Sequence, residues 1–217
     1  MTETTPQHYE KKELPPESER LVLAITGLPG SGKTTLIGYL KKELTELGYP
    51  VGYISIFRFS DYLRESLNET GITNPTREDY GDRSQELRPT DNPGIITELY
   101  QNTPIVIVDG LRNADEAEKV FETRGVIVAL FCPAPARYAR AKARQSGKDN
   151  LDTIDEFLEG EKEELFSDEP NGSHTEFAMS LAPPGQRYNT SYLGMHDIAQ
   201  RIIKWLQDNN KLPELPT

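Results

Sequence analysis

Cysteine is nearly absent from this chain of 217 residues. Cys132 is the only one, which excludes an internal disulfide and fits a reducing compartment, so a cytoplasmic location is expected. Cys132 ends an apolar stretch and reads as a structural thiol. Histidine is almost as scarce, and His8, His174 and His196 are too scattered to outline a zinc site. No apolar run reaches the length of a transmembrane helix. The first twenty residues are polar, carry Pro6, Pro15 and Pro16, and lack the apolar core of a signal peptide. Positive charge is in short supply as well: 24 Lys and Arg against 35 Asp and Glu leave a formal net charge of −11. That balance argues against nucleic acid or an anionic membrane as the general partner. No internal repeat is visible. What these absences leave is one acidic α/β domain, long enough to bury a substantial core and partnered by small molecules. They leave the oligomeric state open.

The chain does have glycine at telling positions. Residues 27–34 read Gly-Leu-Pro-Gly-Ser-Gly-Lys-Thr, which satisfies G-x-x-x-x-G-K-[ST]. The apolar run Leu21 to Ile25 before it reads as a buried strand, and Thr35 to Leu40 after it opens a helical pattern. Gly27, Gly30 and Gly32 let backbone N–H groups turn inward around a polyphosphate, and the new helix points its positive dipole end at the same anion. Lys33 supplies a mobile charge for β- and γ-phosphates, and the Thr34 hydroxyl can bind Mg²⁺, with Ser31 and Thr35 completing the cofactor-binding set. The expected cofactors are ATP and Mg²⁺.

Along the rest of the chain strands and helices alternate. Strands are expected at 21–26, 51–57, 105–108, 126–131 and 187–190. Helices are expected up to Leu47, then over 61–69, 76–87, 93–101, 113–121, 135–145, 153–166 and 195–208. Thr76-Arg77-Glu78-Asp79 has the form of a capping start. The fold class this implies is α/β: a three-layer α/β/α phosphate-loop NTPase fold with about five parallel strands and a small helical lid. Residues 1–19 read as a disordered leader and 20–210 as the kinase-type domain. Within that domain the lid is expected near 137–155 and a loop-rich insertion at 167–185, and 211–217 read as a loose tail.

Three further constellations bear on chemistry. Asp109-Gly110-Leu111-Arg112 follows the best strand, so Asp109 stands at a strand's carboxyl end, where ligands bind in open α/β sheets and where a carboxylate can hold Mg²⁺. Arg112 offers a planar fork for a second phosphate or carboxylate. Phe59-Ser60-Asp61-Tyr62-Leu63-Arg64 follows the second strand, and Asp61 and Arg64, one helical turn apart, share a face suited to an acceptor. Arg58, Arg77, Arg83 and Arg88 lie in the same stretch, and spacing does not choose among them. Finally, Arg137, Arg140, Lys142, Arg144 and Lys148 cluster in a segment with no acidic residue. Arg137, Arg140 and Arg144 make a helical stripe beside a polar, Gly147-containing turn, the composition of a lid that closes cations over a phosphoryl group.

In this order the motifs resemble the nucleoside-monophosphate-kinase group of phosphate-loop proteins. Thr76-Arg77-Glu78-Asp79, Glu86-Leu87-Arg88 and Asn92-Pro93-Gly94 look more like a subfamily described as adenylate-kinase-like or dephospho-CoA-kinase-like. The resemblance covers roughly 20–166. It implies that Lys33 and Arg144 handle donor phosphates, that Arg64 and Arg112 hold the acceptor, and that Asp109 serves Mg²⁺; Asp61 and Arg88 complete the expected substrate-binding set. Where that subfamily resembles F-x-x-R-[DE], this chain has Phe157 followed by Gly160 and Glu161, and no arginine lies between Arg144 and Arg187.

Other classes fit less well. Asp91-Asn92-Pro93-Gly94 follows no strand and Asn210-Lys211-Leu212-Pro213 lacks the final Asp of a GTPase base motif. Gly110 stands where a hydrolytic ATPase has a water-polarising Glu, which favours transfer over hydrolysis. The expected function is transfer of the γ-phosphoryl group of ATP to a nucleotide-type acceptor: a nucleoside or deoxynucleoside monophosphate, or dephospho-CoA. An adenylylsulfate-kinase-like enzyme and a non-catalytic ATP-binding protein are the alternatives.

Overall fold

A computed structural model describes residues 16, 19–87, 91–143, 153–165 and 174–215. Five strands form one parallel sheet: β1 (Leu21–Thr26), β2 (Ile54–Arg58), β3 (Ile105–Asp109), β4 (Val126–Phe131) and β5 (Arg187–Asn189), in the order β2-β3-β1-β4-β5. The first strand is therefore central. Its six residues are all buried, as expected of a parallel strand covered on both faces.

Because side chains alternate along a strand, β1 feeds two cores. Leu21, Leu23 and Ile25 pack with α1 (Lys33–Glu46) and α9 (Met195–Asp208). Val22 and Ala24 face the other layer, which takes in α2 (Phe59–Glu69), α4 (Asp91–Asn102), α5 (Ala114–Glu122) and α8 (Thr175–Ser180). Of the remaining helices, α3 (Arg77–Leu87) packs against α2, and α6 (Ala134–Ala143) against α7 (Ile154–Leu165), which also meets α8. Asp79 accepts hydrogen bonds from the Thr76 N–H (2.6 Å) and hydroxyl (2.7 Å), the expected cap of α3, and these bonds hold its carboxyl below the ordinary carboxylate range.

Three expectations need correction. The second strand begins at Ile54, not Val51, because its partner β3 begins at Ile105, opposite Ile54; Val51–Tyr53 form a 3₁₀ turn that leaves Val51 58% exposed. The part of 167–185 that is described, 174–185, is not loop-rich: α8 carries Ala178 and Met179 into the core, followed by Ala182. Nor is 211–215 loose. The Tyr49 hydroxyl donates to the Pro213 carbonyl (2.5 Å) and Lys211 Nζ to that of Arg124 (3.1 Å), while Leu212 packs on the core. Of the expected leader only Pro16 and Glu19 are among the described residues.

Candidate active site

The loop between β1 and α1 depends on backbone geometry that suits glycine. Gly27 has φ 143° and Gly30 φ 78°, both in the left-handed half of the backbone map. A Cβ on Gly27 would lie 2.6 Å from the Leu130 carbonyl oxygen, and one on Gly30 2.6 Å from that of Arg137. The loop is thus pressed between the end of β4 and α6. Gly32 is the N-cap of α1, so the helix dipole's positive end is delivered to the carboxyl edge of the sheet. Ser31 is buried in the loop, while Thr34 and Thr35 are exposed at the first turn of α1. Lys33 Nζ donates to the carbonyls of Gly27 (2.5 Å) and Leu28 (3.3 Å), which keeps its charge over the loop.

Asp109 ends β3 beside this loop. Its Oδ2 lies 3.5 Å from Thr34 Oγ1, and its side chain is 9% exposed. A hydroxyl and a carboxylate are hard oxygen donors that fit Mg²⁺, an ion held by one or two protein oxygens with the rest from water and phosphate. Among the described residues no group of three or more His, Cys, Asp or Glu is placed to hold a metal.

From Asp109 a line of charges leads away from the loop. Arg58 Nε is 3.3 Å from Asp109 Oδ2, and another guanidinium nitrogen of Arg58 is 3.7 Å from Asp61 Oδ2. Asp61 Oδ1 is 3.3 Å from Arg64. The Arg64 guanidinium is held above its ordinary value, first by a hydrogen bond with Tyr80 of α3 and then by the Asp61 charge, against partial burial. Arg112 follows Asp109 in a loop shaped by Glu116, which is fully buried and accepts from the N–H groups of Arg112 (2.7 Å) and Asn113 (3.4 Å). The Arg112 carbonyl accepts from the His174 N–H (3.0 Å).

So Lys33, Thr34, Asp109, Asp61 and Arg64 come together along one edge, with Arg112 on the adjoining loop. Arg88 and Arg144 lie outside the described residues. Arg58 was one of several unranked arginines in the sequence; β2–β3 pairing sets it opposite Asp109 at the strand ends, while Arg88 and the Arg77 side chain are outside what is described. Arg83, another of them, is occupied with Ser66 Oγ (2.6 and 2.9 Å) and Glu86 (2.5 Å). Glu116 was missed, although Asn113-Ala-Asp-Glu116 is a capping-box signature.

The basic stripe is corrected. Arg137 is not a phosphate-facing cation: its side chain is 7% exposed, pairs with Glu161 of α7, donates through Nε to the Cys132 carbonyl (2.7 Å) and lies 5.7 Å from the centre of the Phe157 ring. Arg140 donates to the carbonyls of Gly30 (3.3 Å) and Thr190 (3.0 Å) and to the Thr190 hydroxyl (3.1 Å), tying the glycine loop to the segment after β5. Equal spacing along a helix says which residues share a face, not what the face meets. Here Arg137 and Arg140 meet the protein, and Arg144, the third member of the stripe, lies outside the described residues.

Set against known proteins, residues 23–166 match the family described as AAA domain. A UPF0200 protein of Sulfurisphaera tokodaii is 33% identical over 149 residues, covering 66% of this chain and 77% of that protein. A UPF0200/UPF0201 protein of Archaeoglobus fulgidus is 31% identical over 186 residues, covering 75% of this chain; the chain spans 54% of that relative's length, about half. Among solved structures, shikimate kinase from Bacteroides thetaiotaomicron superposes with a TM-score of 0.58 at 16% identity, covering 86% of this chain and 98% of that one. The Mycobacterium tuberculosis APS kinase, solved with AMPPNP and APS, superposes with a TM-score of 0.51 at 16% identity, covering 87% and 98%. At such identities the likeness is one of fold: the parallel sheet and its helices are those of the phosphate-loop kinases.

Proposed function

The chain belongs to the AAA domain family and to the UPF0200 protein family, and from that premise we propose that it is an ATP- and Mg²⁺-dependent kinase acting on a nucleotide-type acceptor. The acceptor would be a nucleoside or deoxynucleoside monophosphate, or dephospho-CoA. One observation carries this reading: the continuous line Thr34–Asp109–Arg58–Asp61–Arg64. It joins a polyphosphate loop to a separate cationic patch, as transfer between two anions requires. Hydrolysis would need no second patch.

In the proposed reaction an acceptor oxygen forms a bond to the γ-phosphorus as the bond to the β–γ bridging oxygen breaks, leaving ADP; a phosphate acceptor attacks as its anion, and a hydroxyl acceptor gives up its proton to water. Gly27, Gly30, Ser31, Gly32, Lys33, Thr34 and Thr35 bind the donor phosphates. Thr34 and Asp109 would hold Mg²⁺, and the ion would supply neutralising positive charge to the donor phosphates. Asp61, Arg64 and Arg112, with Arg88, bind the acceptor. Lys33 and Arg144 stabilise charge on the transferring group. The work is positioning and electrostatic stabilisation, since phosphoryl transfer asks little covalent chemistry of the protein.

The test is incubation with Mg²⁺-ATP and a panel of nucleoside monophosphates, deoxynucleoside monophosphates, dephospho-CoA and adenylylsulfate, with ADP followed by chromatography. Acceptor-dependent ADP is expected. ADP formed without acceptor would mark an NTPase, and ATP binding without turnover a sensor.

A second expectation separates the two halves of the site. Arg64→Ala and Arg112→Ala should each weaken acceptor binding by about 1.5–3 kcal/mol, the worth of a charge-assisted hydrogen bond, and leave ATP affinity unchanged in calorimetric titration. Loss of ATP affinity instead would mean that donor and acceptor sites have been exchanged.

A further inference from the structure

Arg58 stands where the two halves of the site meet. It is the last residue of β2, opposite Asp109 in the sheet register. Its Nε lies 3.3 Å from Asp109 Oδ2, the same oxygen that Thr34 Oγ1 meets at 3.5 Å. Its guanidinium also reaches Asp61, at 3.7 Å. The Asp109 side chain is only 9% exposed, whereas Arg58 and Asp61 are 35% and 51% exposed. One carboxylate oxygen, poorly screened by water, is therefore common to a guanidinium and to the hydroxyl that would share a divalent cation with it.

A guanidinium and a divalent cation drawn to the same carboxylate oxygen repel each other, and at a partly buried site that repulsion is only weakly damped. We propose that Arg58 is an internal competitor of the metal: a positioning residue whose contact with Asp109 weakens divalent-cation binding. When the cation is taken by Thr34 and Asp109, the guanidinium is displaced toward Asp61 and the acceptor side. This rests on the reading of Thr34 and Asp109 as the Mg²⁺ residues and of Asp61 and Arg64 as acceptor-facing. Its consequence is linkage. A metal-bound donor frees a cation for the acceptor, and by reciprocity an anion that engages Arg58 on the Asp61 side raises the affinity for metal. The site would thereby favour both substrates together over either alone.

The test measures metal binding directly. Mn²⁺ is titrated into the full chain in the presence of saturating ADP, and free Mn²⁺ is read by electron paramagnetic resonance. Arg58→Ala should bind Mn²⁺ on the order of tenfold more tightly than the wild type, a coupling of ordinary size. Arg58→Gln, which keeps most of the side chain's bulk, should show the same gain, and Arg58→Lys, which keeps the charge, should not. In an Asp109→Asn background the gain should vanish. Unchanged or weaker Mn²⁺ binding in both neutral variants would overturn the proposal. If Asp109→Asn alone leaves Mn²⁺ affinity intact, the metal assignment itself has failed, and that outcome is distinct. Thermal melts of each variant without ligand confirm that the fold is retained.

Discussion

Glu161→Ala should destabilise the protein by about 3–5 kcal/mol, because it leaves a buried guanidinium without its counter-charge. The Glu161 and Arg137 side chains are 4% and 7% exposed, and they pair across α6 and α7. Phe157, one turn before Glu161, packs its ring against the same guanidinium. Removing one member of such a pair costs far more than the pair contributes net, since desolvation of the survivor is no longer offset. The double replacement Arg137→Met with Glu161→Leu should therefore recover most of the loss. Urea unfolding of the three variants checks this. A loss below about 1 kcal/mol for Glu161→Ala would mean that the pair behaves like a solvated surface bridge. The effect should reach the nucleotide loop as well, because the Arg137 backbone is what Gly30 packs against.

Lys33→Ala should have the largest effect on activity. The lysine amine hangs over the loop on the carbonyls of Gly27 and Leu28, contacts it can exchange for phosphate oxygens. Without it the loop keeps its N–H groups but loses its mobile charge. Turnover should fall on the order of 10²–10³-fold, the scale of losing one preorganised stabiliser of the transferring group. ATP affinity should fall with it, while the melting temperature without nucleotide stays close to the wild-type value. Calorimetric titration with ATP and the ADP-release assay read the two effects separately. Unchanged affinity together with unchanged turnover would refute the assignment.

How far the sequence foretold all this depended on whether an argument was local. The loop at 27–34 and Asp109 were legible because each rests on a short motif next to a strand. The terminal helix Met195–Asp208 was legible to the residue, because its apolar positions repeat at helical spacing over its whole length. Arg58 was visible but not selectable; its role depends on which strand lies beside β2, and that is a long-range fact. Arg137 was misread for a related reason. Among the described residues its partner Glu161 lies on another helix, and an acidic residue near 160 gave no sign of facing inward. Helix α8 was hidden by its surroundings: six residues hemmed in by prolines and glycines are too short for periodicity to outvote the loop-forming composition around them.

The central place of β1 has a consequence for how the protein comes to work at all. Thr34 and Asp109 are 75 residues apart in sequence, and the Arg140 contact with the Gly30 carbonyl spans 110. The first contact waits for β3 to pair with β1, and the second for β4 to pair on the other side. Closing such long loops is entropically costly, which makes topologies of this kind slow to assemble. The phosphate loop is written early in the chain, yet its geometry is finished only when strands far downstream have docked. The shape of the loop is thus a report on the sheet as a whole. A chain interrupted before β4 would carry the full loop motif and still lack the walls that shape it.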